Sequence, residues 1–188
     1  LDPTTPGDYD RLLASLNSIE DEHGVCMNRL YYLSVPPSIY SVVVQNLGEH
    51  RLNTSCQHGK AATRLLVEKP FGYDLETGKQ LITHTEKYFK EDQIFRIDHY
   101  LAKESAQNIF TFRRHNPVFA SSWNSDHIKQ ISVIAHEKIG VEGRAGFYDD
   151  VGALRDLVQS HLLQLLALVM CDMNEVDNDI ALHGAKQT

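Results

Sequence analysis

Four side chains that can exchange protons or bind anions lie within six positions of one another: Asp98, His99, Tyr100 and Lys103. The bulky segment before them, residues 94–97, predicts a strand that stops where Asp98 begins. Successive strand residues point to opposite faces, so we expect Asp98 and His99 to find separate partners. Tyr100 and Lys103 are three positions apart, which places both on one side of a helical turn. His99, Tyr100 and Lys103 can therefore surround a small anion, or they can be ordinary surface and capping residues.

A further candidate for proton transfer is His161, a polar residue within an apolar segment. An imidazole, with its ordinary pKa near ~6.5, suits a general base at neutral pH. The alternative is a core histidine that donates to a backbone carbonyl. A histidine base needs a carboxylate to orient it, and Asp98 needs a partner. Sequence spacing alone does not reveal whether the two meet.

Lys69 stands at a predicted strand end, directly before Pro70. Proline disfavours helical backbone in the residue before it, and a cis bond there would fix the direction of the lysine side chain. The alternative is a solvated lysine at the end of a strand. Glu137 and Asp156 are, taken singly, typical of salt bridges or helix caps, whereas in a sugar site carboxylates accept hydrogen bonds from hydroxyl groups.

The elements that position these residues alternate between strand and helix in the first half of the chain. Apolar periodicity and turn residues predict helices over 9–21 and 38–47, and a helix capped by Asp74 that runs to about residue 90. Strands are predicted over 28–35, 64–69 and 94–97. This order implies a parallel sheet with right-handed crossovers.

All three predicted strands end in unusual residues, namely Val35-Pro36-Pro37, Glu68-Lys69-Pro70 and Asp98-His99. In open α/β sheets, ligands bind beyond the carboxyl ends of the strands. The sequence therefore predicts that the three segments converge on one edge and form a site there.

The second half of the chain lacks the regular alternation of predicted strands and helices. We expect a helix over 103–114, a strand of an antiparallel sheet over 128–138 and a glycine-rich loop over 140–152. The segment 153–173 is apolar on nearly all sides, which is typical of a buried helix. The predicted fold is α/β: a partial Rossmann-like parallel sheet over residues 1–98, followed over 99–188 by the start of an α+β domain with a large antiparallel sheet.

Composition excludes several classes of protein. The 188 residues carry a net charge of −7 and are 42% hydrophobic, as in ordinary globular proteins. Neither a basic run nor an apolar stretch of ~18 residues occurs, so we expect no nucleic-acid or membrane partner. No signal peptide is recognised. Cys26, Cys56 and Cys171 lack metal spacing and are predicted to be reduced thiols of a cytoplasmic protein, with no metal site.

Five segments, taken together, resemble the glucose-6-phosphate dehydrogenase family in order and spacing, and the resemblance extends from about residue 9 to residue 173. They are NRLYYLSVPP (28–37), VEKPFG (67–72), RIDHYLAKE (96–104), EGRAGFYD (142–149) and RDLVQSHLLQ (155–164). Two positions depart from the family pattern. Ala102 stands where the family has glycine, and Ser160 precedes His161 where most members have asparagine.

The resemblance implies a role for each candidate residue in the oxidation of glucose 6-phosphate at C1 to 6-phosphogluconolactone. His161 is the base and Asp98 orients it, while Lys69 hydrogen-bonds near the reacting centre and the nicotinamide. The implied substrate ligands are His99, Tyr100 and Lys103 for the phosphate and Glu137 and Asp156 for sugar hydroxyls. Pro36, Pro37, Lys69 and a cis Pro70 line the cofactor side.

The resemblance also implies NADP as the hydride acceptor, with NAD as the alternative, and a homodimer or homotetramer. No G-x-G-x-x-G-like segment precedes Asn28, and the family's opening strand and its later antiparallel strands are not recognised. We therefore expect these 188 residues alone to be inactive. The alternative function is a catalytically silent phosphosugar-binding fragment or homologue without a usable cofactor site.

Overall fold

A computed structural model describes residues 2–54, 61–69, 71–72, 74–136, 138 and 140–173. The chain divides into two compact units, Leu1–Ile97 and Asp98–Thr188. All strands assigned among these residues belong to the first unit, and the described part of the second unit is helical or irregular. Pro70 and Glu137, two of the predicted site residues, lie outside the described residues.

The first unit alternates strands and helices and contains a three-stranded parallel sheet in the order β1-β2-β3. This confirms the predicted Rossmann-like parallel sheet. Helix α1 begins at Pro6, three residues earlier than predicted, and α3 ends at Glu86, short of residue 90. The elements are α1 (Pro6–His23), β1 (Arg29–Leu33), α2 (Pro37–Glu49), β2 (Thr63–Glu68), α3 (Leu75–Glu86), a 3₁₀ turn (Glu91–Gln93) and β3 (Ile94–Ile97).

The core of the first unit lies against one face of the sheet. Alternate strand residues point into it, and they meet apolar side chains of α1 and α2 and the ring of Phe89. The opposite face exposes Leu30, Tyr32 and Phe95. The buried strand residues of the core are Leu33, Leu65, Val67 and Ile94, and Val44, Leu47, Leu52 and Phe89 are the most buried residues around them.

Local sequence explains how the segments after the strands enter their helices. Pro37 is the first residue of α2, where its fixed φ suits the helix and its missing N–H is not needed. The Asp74 carboxylate accepts from the Thr77 N–H at 2.8 Å, and the Asp74 N–H donates to Thr77 Oγ1 at 3.0 Å. This capping box confirms the predicted start of α3.

The second unit contains six helical segments among its described residues. They are α4 (Glu104–His115), a 3₁₀ helix (Pro117–Ser122), a 3₁₀ turn (Glu142–Arg144), α5 (Ala145–Ala153), a π-helix (Leu154–Leu162) and α6 (Leu163–Met170). Helices α4 and α6 pack together. The Arg113 guanidinium donates to the carbonyl oxygens of Leu168 and Cys171 at 2.8 and 2.7 Å, and the Trp123 indole donates to the carbonyl of Val169 at 2.8 Å. These bonds pair carbonyls that the end of α6 would otherwise leave unsatisfied.

Three predictions for the second half are wrong. Residues 128–136 and 138 form no strand, because an alternating pattern yields a strand only where a neighbouring strand pairs with it. The predicted loop over 140–152 is largely helical, with the break confined to Gly152, whose φ is +71°. The predicted buried helix exposes 70% of Leu154 and 64% of Met170, because no described element covers these positions. Its backbone is also not one α-helix, since it begins with the π-helix.

Cysteine pairing also differs from the prediction. Cys26 is disulfide-bonded, and Cys171 is a free, buried thiol. The prediction of reduced thiols rested on an assumed cellular compartment, and linear spacing does not report which cysteines a fold brings into contact. None of the helices in the described part of the chain is long and apolar enough to cross a membrane.

Candidate active site

A buried histidine–aspartate pair lies in the second unit. His161 belongs to the π-helix, and Asp98 directly follows the last residue of β3. His161 Nδ1 and Asp98 Oδ1 are 3.0 Å apart, and the two side chains are 8% and 7% exposed. Sixty-three positions separate the two residues in the sequence. The contact that the resemblance implied is therefore present.

Hydrogen bonds within the turn after β3 fix the orientation of the Asp98 carboxylate. Asp98 Oδ1 also accepts from the Tyr100 N–H at 2.9 Å, and the Asp98 carbonyl accepts from the Ala102 N–H at 3.1 Å. An aspartate that caps its own turn in this way holds its carboxyl group in one direction. Ala102, the departure from the family glycine, contributes only its backbone N–H to these bonds.

The pairing decides which nitrogen of His161 can act as a base. When Nδ1–H donates to a carboxylate, the lone pair of the neutral ring is on Nε2. The same carboxylate stabilises the imidazolium that forms after Nε2 takes a proton. The arrangement suits general base chemistry at a hydroxyl group.

The other predicted anion ligands gather around the same ring. Tyr100 is buried and stacks on His161, with the ring centroids 4.4 Å apart and the planes inclined by 15°. His99 meets His161 edge-on at 4.5 Å. The Lys103 ammonium lies 4.0 Å from the centroid of the Tyr100 ring. His99 and Lys103 are exposed, so they can reach a bound anion.

Asp156, the predicted ligand for sugar hydroxyls, lies five positions before His161 in the same π-helix. A π-helix joins residues five apart by its backbone hydrogen bonds, and such segments occur often at functional sites. Sequence periodicity did not reveal this segment, because an apolar stretch with few polar residues fits an α-helix equally well.

In the first unit, the carboxyl ends of β1 and β2 border a cavity of about 180 Å³. Lys69 and Pro37, two of the predicted site residues, line this cavity. Pro36 is not among the lining residues and forms the N-cap of α2. The remaining lining residues, which were not predicted as site residues, are Leu33, Ser34, Val35, Tyr40, Glu68 and Leu81.

The chemistry of this cavity fits part of a dinucleotide. Lys69 supplies a cation, Ser34 a hydroxyl group and Glu68 a carboxylate, beside apolar residues that can pack against a flat ring. The Tyr32 hydroxyl donates to Glu68, and this carboxylate raises the pKa of Tyr32. Tyr32 and Glu68 point to the same face of neighbouring strands, and the register Leu33↔Val67 brings them close. Strand parity is the sequence signal that could have identified this pair.

Parallel strands with a cavity at their carboxyl edge define a Rossmann-like α/β protein, and the carboxylate-oriented histidine marks it as a candidate acid–base enzyme. Two family models match the chain. Residues 1–108 match "Glucose-6-phosphate dehydrogenase, NAD binding domain", and residues 110–186 match "Glucose-6-phosphate dehydrogenase, C-terminal domain". The chain belongs to the glucose-6-phosphate dehydrogenase family.

Curated relatives agree with the family models. The chain is 45% identical over 162 residues to the glucose-6-phosphate 1-dehydrogenase of Caenorhabditis elegans, which covers 86% of this chain and 30% of the relative. It is 48% identical over 162 residues to the glucose-6-phosphate 1-dehydrogenase of Aggregatibacter actinomycetemcomitans, and this alignment covers 86% of this chain and 32% of the relative. The chain therefore spans about a third of the length of these relatives.

Solved structures show the same likeness. A glucose-6-phosphate dehydrogenase in complex with its substrate glucose-6-phosphate superposes with a TM-score of 0.84 at 33% identity, covering 99% of this chain and 38% of that one. The glucose-6-phosphate 1-dehydrogenase of Mycobacterium avium superposes with a TM-score of 0.78 at 36% identity, covering 99% and 38%.

Proposed function

We propose that the native polypeptide that carries this sequence is a glucose-6-phosphate dehydrogenase, which oxidises glucose 6-phosphate at C1 to 6-phosphogluconolactone. The observation that carries the proposal is the buried contact between His161 Nδ1 and Asp98 Oδ1 at 3.0 Å. Family membership and the relative solved with glucose 6-phosphate support the choice of substrate.

In the proposed reaction, His161 Nε2 takes the proton of the C1 hydroxyl group. The C1–O bond becomes the lactone carbonyl as the hydrogen on C1 leaves with its electron pair. A nicotinamide cofactor, when bound, supplies the acceptor for that hydride. Asp98 keeps Nε2 available and stabilises the protonated imidazole, so the base acts mainly in the transition state.

The remaining roles follow the resemblance. His99, Tyr100 and Lys103 bind the phosphate, and their gathering around His161 supports this assignment. Asp156 and Glu137 bind sugar hydroxyls. Lys69, Pro36, Pro37 and Pro70 serve the cofactor side, supported by the cavity that Lys69 and Pro37 line. Residues 1–98 are then part of a dinucleotide-binding domain, and residues 99–188 part of a substrate and dimerisation domain.

The proposal also covers the preferred cofactor, the oligomeric assembly and the cellular location. We assign NADP as the preferred cofactor, a homodimer or homotetramer as the assembly and the cytoplasm as the location, all supported by the resemblance alone. The ratio of kcat/KM for NADP to that for NAD tests the first. Light scattering of the purified native protein tests the second, and fractionation of the source cells tests the third.

The test of the reaction is the absorbance of reduced cofactor with glucose 6-phosphate, for the native polypeptide and its His161→Asn variant. We expect turnover by the former and a kcat roughly 10²–10⁴-fold lower in the variant, with little change in sugar affinity, because a positioned base contributes about that much. Near-normal turnover in His161→Asn removes His161 from the mechanism. Sugar-phosphate binding without turnover in the unmodified protein favours the silent phosphosugar-binding alternative.

A further inference from the structure

Tyr100 contacts both members of the histidine–aspartate pair. Its backbone N–H donates to Asp98 Oδ1 at 2.9 Å, and its ring stacks on the His161 imidazole at 4.4 Å. The side chain is only 7% exposed, so the ring belongs to the packed interior of the site. A tyrosine that served the substrate phosphate through its hydroxyl group alone would not need this stack.

A hydrogen bond to Nδ1 does not by itself determine the plane of an imidazole ring. The Asp98 carboxylate holds Nδ1, but the terminal torsion of a histidine side chain has a broad energy minimum. Rotation about this torsion turns the plane of the ring and therefore changes the direction of the Nε2 lone pair. An aromatic ring stacked within 15° of parallel restricts that rotation, because tilting the imidazole costs contact with the tyrosine face.

We propose that Tyr100 is a positioning residue for the base, and that its ring, independently of its hydroxyl group, fixes the plane of His161 so that Nε2 points at the reacting hydroxyl. This inference rests on the proposed function for its effect on catalysis, but the position of the imidazole is measurable without any turnover. The Lys103 ammonium lies 4.0 Å from the centroid of the same ring. The Tyr100 ring therefore contacts both a proposed phosphate ligand, Lys103, and the proposed base, His161.

Two substitutions in the native polypeptide separate the ring from the hydroxyl group. Tyr100→Phe keeps the ring and Tyr100→Leu removes it. We expect Tyr100→Phe to raise KM for glucose 6-phosphate while kcat stays within about 2-fold of normal. Tyr100→Leu should also lower kcat, by roughly 3- to 10-fold, which is the rate equivalent of one aromatic pair. The loss in kcat should persist with free glucose, which carries no phosphate.

A spectroscopic measurement reports the stack directly. In protein with isotopically labelled histidine, the His161 resonance is assigned by its disappearance in His161→Asn. The ring current of a stacked tyrosine displaces the Cε1–H signal, and we expect that displacement to remain in Tyr100→Phe and to vanish in Tyr100→Leu. Should Tyr100→Leu fail to fold, as judged by circular dichroism, Tyr100→Met replaces it with a flexible side chain of closer volume.

The outcomes distinguish the two proposals. Equal losses of kcat in the phenylalanine and leucine variants, or an unchanged His161 signal in Tyr100→Leu, overturn the positioning role. Absence of turnover in the unmodified protein overturns the proposed function, and the His161 resonance still decides whether the Tyr100 ring holds the imidazole.

Discussion

At the scale of single residues, Asp98 differs from an ordinary aspartate at a strand end because one oxygen serves two donors. Oδ1 accepts from the Tyr100 N–H and lies 3.0 Å from His161 Nδ1, in a side chain that is 7% exposed. A buried carboxylate is tolerated only where donors satisfy it. Burial and orientation of the carboxylate therefore both depend on its hydrogen-bond donors, and changing the carboxylate affects both.

We expect Asp98→Asn in the native polypeptide to lower kcat by roughly 10²–10⁴-fold, the range typical of a disabled base. The amide can donate to Nδ1, which would move the imidazole proton to Nε2 and leave no lone pair there. Steady-state kinetics with glucose 6-phosphate measures the effect. Asp126→Asn, at an exposed position of the same unit, is the matched control and should match the unmodified protein. A kcat within a few-fold of normal in Asp98→Asn would contradict the orienting role.

A second residue-scale prediction concerns the phosphate. His99→Ala and Lys103→Met should each raise KM for glucose 6-phosphate by roughly 10- to 100-fold and change KM for free glucose little, because hydrogen bonds to charged groups contribute about 1.5–3 kcal/mol. Lys129→Met removes an exposed lysine elsewhere in the unit and controls for net charge. Equal effects on both sugars would make His99 and Lys103 structural residues instead.

Sequence spacing predicted part of this cluster. The three-residue interval between Tyr100 and Lys103 predicted their proximity, and Lys103 does lie against the Tyr100 ring. The stack of Tyr100 on His161 was not predicted, because it joins residues 61 positions apart. Local periodicity carries no information on such contacts, and the pairing of Asp98 with His161 was inferred only through the family resemblance.

At the scale of elements, the three parallel strands were predicted correctly, whereas the antiparallel strand predicted over 128–138 is not observed among the described residues of that segment. Each strand over 29–33, 63–68 and 94–97 pairs with a neighbour in the same unit, so local pattern and tertiary context agree. The alternating segment 128–138 has no such neighbour among the described residues. A strand is stabilised by its partner, whereas a helix satisfies its own backbone hydrogen bonds. The helix predicted over 103–114 is accordingly confirmed, with observed bounds of Glu104–His115.

The loop after β2 depends on Gly72, which adopts φ +80°. A Cβ atom there would lie 2.5 Å from the backbone nitrogen of Gly78 in the first turn of α3. We expect Gly72→Ala to lower the free energy of unfolding by about 2–4 kcal/mol, from left-handed backbone strain together with overpacking. Urea denaturation measures this. Gly140→Ala is the control, since a Cβ there meets no atom within 4 Å. Equal urea midpoints for Gly72→Ala and Gly140→Ala would contradict the close approach of Gly72 to the backbone of Gly78.

The end of α6 depends on Arg113 of α4, which donates to the carbonyls of Leu168 and Cys171. Arg113→Met should destabilise the second unit by roughly 1.5–3 kcal/mol, because it removes charged hydrogen bonds and leaves carbonyls unpaired. Amide hydrogen exchange in 163–170 should quicken more than in 104–112. Arg114→Met, at the neighbouring exposed position, controls for the lost charge. An unchanged rate of amide hydrogen exchange in α6 of Arg113→Met would show that water can replace the guanidinium at these carbonyls without loss of stability.

At the scale of the whole molecule, the first unit buries polar groups together with its apolar core. Arg29 and Glu20 form an ion pair at 3.0 Å with side chains 5% and 7% exposed. The hydroxyl of Tyr31 is buried, and Tyr40 is 8% exposed. Burial raises the pKa of both tyrosines, because a phenolate loses hydration in apolar surroundings. We therefore expect the stability of this core to decrease at alkaline pH.

The sign of that sensitivity follows from proton linkage. Burial raises the pKa of Tyr40, while a hydrogen bond with Thr85 and the charge of Arg96 oppose the shift more weakly. The unfolded chain therefore releases this proton first, near its ordinary value of about 10. The contribution of Tyr40 to stability is complete below that pH and declines as the pH rises through the higher folded value.

We expect urea midpoints to fall between pH 9 and pH 11, and to fall less steeply in Tyr40→Phe, which cannot ionise. Tyr148→Phe, at an exposed position of the second unit, should follow the unmodified protein. A Tyr40→Phe profile parallel to that of the unmodified protein would mean that the phenolate is hydrated in the folded state. Because Tyr40 also lines the cavity beside Lys69, the same measurement reports how dry that cavity is. A dry cavity would strengthen each charge interaction that Lys69 makes with a bound ligand.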